Sequence, residues 1–365
     1  LYLLFSKTKE ISSSRNIFYL RFVKIGCLFR LTLSQKFMIE VQHLSKHFKI
    51  KKRKPGILGS IVSLVHSDVE YLKAVDDISF SIKPGELVGY IGQNGAGKST
   101  TIKMLTGILT PTEGKIRVNG LDPSKDRKFN ARQIGVVFGQ RSQLWMDLPV
   151  EESFDLLRSI YKIDTKVYKQ KLDFFFDLLG LNEFFNQQAR KLSLGQRMKA
   201  DLAASLLHSP SVLFLDEPTI GLDLLVKEKV REFIRKINTE EKVTIILTTH
   251  DIQDIEFLAQ RIIIIEKGKK EYDGDIANFN KLLGNDSIVT VHFVNPIKSL
   301  ELPKPFEIKE KISDQQYTLN LPDNEPLSGL LEILQKKGLQ IQEINRHKPD
   351  LGFAVKKMYA GKGEL

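Results

Sequence analysis

The eight residues Gly92-Gln93-Asn94-Gly95-Ala96-Gly97-Lys98-Ser99 fit the pattern G-x-x-x-x-G-K-[ST], whose chemistry is polyphosphate binding. The glycines let the backbone curl until its N–H groups point at phosphate oxygens. A helix that starts at the end of the loop adds partial positive charge. Lys98 suits the β- and γ-phosphates, and the Ser99 hydroxyl suits a Mg²⁺ ion. Further along, the apolar run Val212-Leu213-Phe214-Leu215 ends in Asp216-Glu217. Carboxylates at the end of a buried strand are costly without a partner. Asp216 suits the metal, and Glu217 suits the water that attacks the γ-phosphate.

These residues need elements to hold them. Strand candidates are Glu86–Gly92, Ile134–Phe138, Val212–Asp216, Val243–Thr248 and Arg261–Glu266, several almost wholly apolar. Strands covered on both faces read that way. Between them lie the helical stretches Thr100–Ile108, Glu151–Tyr161, Tyr168–Leu179, Met198–Leu207 and Leu224–Ile237. Strands alternating with helices predict an α/β domain around a mostly parallel sheet. The sequence Met38–Leu44 alternates like a strand, and Ala74–Ile82 reads as another. From Asn285 onward the pattern changes. Ile288–Val294, Tyr317–Leu321 and Leu339–Ile344 read as strands and Leu327–Lys337 as a helix, a small α+β appendix.

Two further pieces tie the motifs to a family. Leu192-Ser193-Leu194-Gly195-Gln196-Arg197 opens a helical stretch shortly before the Asp-Glu strand. It resembles the LSGGQ signature of ABC ATPases, with Leu194 in place of the first glycine. Pro218-Thr219-Ile220-Gly221-Leu222-Asp223 looks like the family's D-loop, and Thr248-Thr249-His250-Asp251 like its switch-histidine motif. The whole is similar to an ABC transporter nucleotide-binding subunit over residues 38–284. It is most similar to the ABC-2 type exporter ATPases.

The resemblance implies a P-loop NTPase fold of ABC type, with an antiparallel β subdomain and a helical signature subdomain beside the parallel core. It implies ATP contacts from Gly92, Gln93, Asn94, Gly95, Ala96, Gly97, Lys98, Ser99 and Thr100. Lys98, Glu217, His250 and Gln140 would be catalytic, with Ser99, Gln140 and Asp216 around Mg²⁺. Ser193, Gly195, Gln196 and Asp223 would contact ATP held by a second subunit. Phe138-Gly139-Gln140 carries one residue more than the family's pattern, which leaves Gln143 as a substitute for Gln140. Phe48 stands where the family stacks a ring on adenine; a core aromatic is the other reading. Trp145, the only tryptophan, is either an anchor for a permease or a packed ring. ATP, Mg²⁺, a homodimer or a heterodimer with a related subunit, and separate integral-membrane permease subunits are the expected ligands and partners. The expected place is cytoplasmic, peripheral on the inner face of the cell membrane, and the expected direction is export. The sequence does not name the cargo.

Composition narrows the rest. The 365 residues carry a formal net charge of +11, and seven Lys and Arg against Glu10 fall within residues 1–37. That segment precedes the first methionine, Met38, and has no coherent period. It is expected to be disordered or foreign to the native chain, leaving 38–284 as the ATPase domain and 285–365 as a small C-terminal domain. A second basic run, Lys51-Lys52-Arg53-Lys54, opens an insert to Lys73. It reads either as a rim facing membrane and permease or as a plain surface hairpin. Basic runs also suggest the alternative of a soluble ABC ATPase acting on nucleic acid or ribosomes. One P-loop, and no sustained heptads between Lys98 and Ser193, speak against its tandem and coiled-coil forms; no nucleic acid is expected as a partner. No run of about 20 apolar residues is present to span a bilayer. A single cysteine excludes an internal disulfide framework.

Overall fold

The computed structural model describes residues 37–51, 69–139, 141–282, 287–347 and 351–360. The segments 1–36 and 52–68, and with them most of the N-terminal and insert expectations, lie outside the described residues, as does Gln140.

In chain order the elements are β1 Ile39–Lys51, β2 Val69–Ile82, β3 Leu87–Gly92, α1 Lys98–Leu105, β4 Glu113–Val118, α2 Arg127–Ala131 and β5 Ile134–Phe138. There follow α3 Val150–Tyr161, α4 Thr165–Leu179, α5 Leu194–Leu206, β6 Val212–Asp216, α6 Leu224–Thr239, β7 Thr244–Thr248, α7 Ile252–Leu258, β8 Arg261–Glu266, β9 Lys269–Asp275 and α8 Ile276–Leu282. The rest is β10 Ser287–Phe293, β11 Glu307–Lys311, β12 Gln316–Leu321, α9 Leu327–Lys336, β13 Ile341–His347 and α10 Leu351–Ala360.

Six strands form the central sheet in the order β5-β6-β7-β3-β8-β9, parallel except for the antiparallel edge strand β9. Non-consecutive neighbours require crossovers, which the helices supply. Each strand sends alternate side chains to opposite faces, so near-continuous apolar runs feed two cores at once. Leu213, Leu215, Ile245, Leu247, Ile262 and Ile264 enter a core shared with α3–α8. Val212, Phe214, Ile246, Ile263 and Ile265 enter a second core under the antiparallel sheet β2-β1-β4 and α1. With both faces covered, the sheet is held rigid and its strand ends become fixed points.

Strand β2 begins at Val69, five residues before the predicted start. It pairs with β1 so that Phe48 faces Leu72, and Ile50 faces Glu70. The aromatic Tyr71 and the apolar Leu72 favour extending the hairpin past the predicted start. Phe48 is therefore paired directly with the next strand. Strands β4, β9 and β11 escape an apolar-run search because they are mostly exposed edge pieces.

The last four strands make an antiparallel sheet in the order β11-β12-β10-β13 with its own apolar core under α9, which includes Val289, Tyr317, Leu319 and Leu330. Helix α10 instead places Leu351, Ala354 and Val355 in the first core, beside Phe279 of α8. Its first backbone N–H donates to Glu256 Oε1 on α7 at 2.7 Å. Among the described residues no helix is long and apolar enough to cross a membrane.

Candidate functional site

The phosphate loop leaves β3, whose six residues are all buried, and runs straight into α1. At its last position Gly97 has φ +105°, and a Cβ there would lie 2.4 Å from the Ala74 carbonyl oxygen. Only glycine fits this conformation this close to β2. Lys98, buried, donates from Nζ to the carbonyls of Gly92 at 2.7 Å and Gln93 at 3.1 Å. Loss of solvent pushes its pKa down, and the carboxylates of Glu217 and Asp216 partly offset this. The ammonium is thus held directly beneath the curl of the loop.

The ends of β6 and β7 face that loop. Asp216 Oδ1 lies 3.4 Å from Ser99 Oγ and also accepts from Thr248 Oγ1. A hydroxyl and a carboxylate at this spacing suit Mg²⁺, which takes few protein ligands and completes its octahedron with water and phosphate oxygens. Among the described residues no group of three or more His, Cys, Asp or Glu is placed to hold a metal alone, so phosphate would have to share the ion. Glu217 adopts φ +55°, a left-handed conformation that non-glycine residues rarely take. Its N–H donates to the Thr248 carbonyl at 2.9 Å, which fixes the turn. Strain of this kind gathers where a side chain must be aimed. Glu217 Oε1 stands 3.3 Å from His250 Nδ1. Behind it, Gly139 N–H donates to the Asp216 carbonyl at 2.8 Å; a Cβ at Gly139 would lie 2.5 Å from the Glu217 carbonyl oxygen.

A cleft of about 900 Å³ opens above these groups, lined by Gln93, Asn94, Ser99, Asp216, Glu217 and His250 among others. The structure therefore brings together the predicted P-loop, Asp216, Glu217 and His250. It does not bring in Phe48, which is half-buried on β1 with the Lys46 ammonium 5.5 Å over its ring. Gln143 is turned away: its Nε2 donates to the Asp201 carbonyl at 2.9 Å and approaches the Val136 carbonyl at 3.4 Å.

Ser193, Gly195, Gln196 and Asp223 are likewise absent from the cleft lining. Ser193 and Gln196 form a reciprocal cap at the start of α5, Ser193 Oγ accepting from Gln196 N at 3.2 Å and Gln196 Oε1 from Ser193 N at 3.0 Å. Gly195 is packed against Val226, and a Cβ there would come within 3.1 Å of it. Asp223 caps α6 by accepting from Val226 N. Leu194, the departure from the signature pattern, lies against Gly221 and is 45% exposed.

Sequence reading missed the support beneath the cleft. Asp254 on α7, fully buried, accepts from Arg231 Nε of α6, from Thr219 Oγ1, and from Thr249 Oγ1 at 3.3 Å. One carboxylate thus ties the loop after Glu217 to the loop carrying His250. Asp251 accepts from Lys227 Nζ at 2.8 Å. Burial works against its charge, but Lys227, the Gln253 N–H and Arg231 outweigh this and hold its pKa below the usual range. The signal in the sequence was Asp254, one acid in a turn of helix right after the switch motif.

Comparison with known proteins decides the family. The ABC transporter family model matches residues 75–220. The chain is 33% identical over 203 residues to the ABC transporter ATP-binding protein NatA of Bacillus subtilis, an alignment covering 56% of this chain and 82% of NatA. The chain belongs to the ABC transporter ATP-binding proteins. It is an ATPase of the ABC transport family with the P-loop cassette fold. It is also 36% identical over 215 residues to the probable multidrug ABC transporter ATP-binding protein YbhF of Escherichia coli, covering 58% of this chain and 36% of YbhF. The linearmycin resistance ATP-binding protein LnrL of Bacillus subtilis is 33% identical over 223 residues, 60% of this chain and 71% of LnrL. Among solved structures, the dimeric post-hydrolysis state of the cassette MJ0796 bound to ADP and Pi superimposes with a TM-score of 0.54 at 27% identity, over 65% of this chain and 98% of that one.

Proposed function

We propose that this cassette works as a two-fold dimer, binding two ATP·Mg²⁺ at composite sites and driving a separate membrane permease, in export, from the inner face of the membrane. One observation carries the dimer. The cleft above Asp216 and Glu217 lacks Ser193, Gly195, Gln196 and Asp223, while the end of α5 that bears the signature is exposed and capped only by itself. A head-to-tail pair, in which each chain sets its Ser193 end over the other's cleft, gives two equal sites at one interface.

Within each site the loop N–H groups and Lys98 would hold the phosphates, and Glu217 would take the proton from the attacking water. His250, 3.3 Å from Glu217, would keep that carboxylate aimed at the γ-phosphate. Ser99 and Asp216 would hold the Mg²⁺, which neutralises charge on the phosphates when bound. Because ADP lacks the γ-phosphate contacts, ATP favours the closed pair and hydrolysis releases it. The exposed pair Trp145-Met146 supports docking on a permease. The multidrug and linearmycin resistance relatives support export.

Mixing tests the shared site. Lys98→Ala and Ser193→Arg subunits, each inactive alone, rebuild one intact site in a mixed dimer, and ATPase activity returns. If mixing restores nothing, the composite site is wrong. ATP-dependent loading of inverted vesicles carrying the partner permease supports export; loading of right-side-out cells reverses the direction.

A further inference from the structure

The middle of helix α5 is packed mostly with small and apolar side chains. Ala200, Leu202, Ala203 and Ala204 are all buried to 1% exposure or less, yet between them stands Asp201 at 5%. Its Oδ1 accepts from Ser142 Oγ and from the Gln143 backbone N–H, both at 2.9 Å. Its own carbonyl accepts from Gln143 Nε2. Ser142 Oγ in turn accepts from Leu144 N at 3.1 Å, and the next residue, Trp145, donates its N–H to the buried Ser153 of α3 at 3.2 Å. On the other side of the same stretch, Gly139 is tied to the Asp216 carbonyl. A short piece of chain therefore links the acidic end of β6 to α5 and to the exposed Trp145-Met146 pair.

We propose that Asp201 is a positioning residue for ATP turnover, latching the Ser142-Gln143-Leu144 segment to the signature helix so that movement of α5 is transmitted to the acidic strand end and to the Trp145 surface; this rests on the ATPase reading of the cleft. Ser193 caps the same helix eight residues earlier, about 12 Å along its axis. A rigid helix carries displacement over that distance without loss. A buried carboxyl is a costly way to fill this place if packing were its only use. Burial raises its pKa to about 6, with Arg197 as the facing charge, so at neutral pH the fold keeps an ionised group where the neighbouring positions of the helix hold Ala and Leu. The ionised form makes the stronger hydrogen bonds to the Ser142 hydroxyl and the Gln143 N–H.

The test uses the full chain, with kcat, KM for ATP and affinity for a fluorescent ATP analogue measured together. Asp201→Leu is expected to lower kcat roughly 10-fold with nucleotide affinity within about 2-fold, since two hydrogen bonds to a charged group are lost far from the phosphates. Asp201→Asn, whose carbonyl still accepts both bonds, should retain about a third of the activity, and it carries the test if the leucine variant does not fold. Ser142→Ala should lower kcat alone but add nothing in the Asp201→Leu background. Wild-type kcat in Asp201→Leu, with Glu217→Gln inactive beside it, overturns the role of Asp201 alone. Full additivity with Ser142→Ala overturns it as well.

Discussion

The cleft at the ends of β3, β6 and β7 and the capped start of α5 are built on opposite principles. In the cleft, polar side chains satisfy one another across four segments that are distant in sequence. Lys98 is held by loop carbonyls, Asp216 by Ser99 and Thr248, and Glu217 lies beside His250. Asp254 and Arg231 brace the two loops from below. At α5, the side chains of Ser193 and Gln196 each bond the other's backbone N–H, within one turn, and Leu194 stands exposed beside them. The first region is preorganised by the tertiary fold, and the second by four residues of local sequence. A preorganised charged cleft suits catalysis, since its dipoles need no rearrangement. A self-capped exposed helix end suits docking.

Four substitutions break or sharpen that contrast. The largest expected effect is on the brace: Arg231→Ala leaves the buried Asp254 carboxylate unpaired and should destabilise the protein by about 3–5 kcal/mol in denaturant titration. Next, Glu217→Gln should keep ATP binding and lower turnover roughly 10²-fold or more, the scale of a lost general base. Near-normal steady-state hydrolysis would remove Glu217 from that role. The third concerns Asp201. Its folded pKa of about 6 lies above the ordinary 3.8, so the stability tied to its protonated form is complete below about pH 4 and is lost as pH rises through 6. Asp201→Asn should therefore exceed the wild type in stability by about 2–3 kcal/mol at pH 7.5 and match it near pH 4, while turning over more slowly. The smallest effect belongs to the local cap: Ser193→Ala should cost about 1 kcal/mol of stability, and it should weaken ATP-driven pairing without weakening nucleotide binding by the separated chains.

The same contrast explains what the sequence could and could not reveal. The loop, the acid-tipped strand and the signature are each contiguous, and their chemistry survives in one line of text. The parallel strands were equally legible, because a strand covered on both faces must be apolar throughout. Strand β6 was predicted at its observed bounds, Val212–Asp216. Edge strands such as Glu307–Lys311 were not legible, since every residue is exposed and no apolar period remains. Asp201 and Asp254 escaped for another reason. Each is an acid inside a helix, and only the folded chain shows that its partners sit 58 and 35 positions away. Phe48 gives a different case: its motif position suggests a ring near the nucleotide, and the strand pairing opposite Leu72 was not legible because the hairpin extends to Val69, before the apolar stretch at Ala74.

Helix α10 has a consequence for how the chain is made. It lies after the four-stranded sheet in sequence, yet Leu351, Ala354 and Val355 belong to the core that covers α7 and α8. During synthesis the phosphate loop, the acid-tipped strand and the switch histidine all leave the ribosome with that core unfinished. The missing piece arrives about 70 residues after α8, and only once the intervening sheet has been translated. The helix that follows His250 gains its bond from Leu351 N–H to Glu256 only after that. A nascent chain stalled before residue 351 would hold every residue lining the cleft and still show an apolar face to chaperones and proteases.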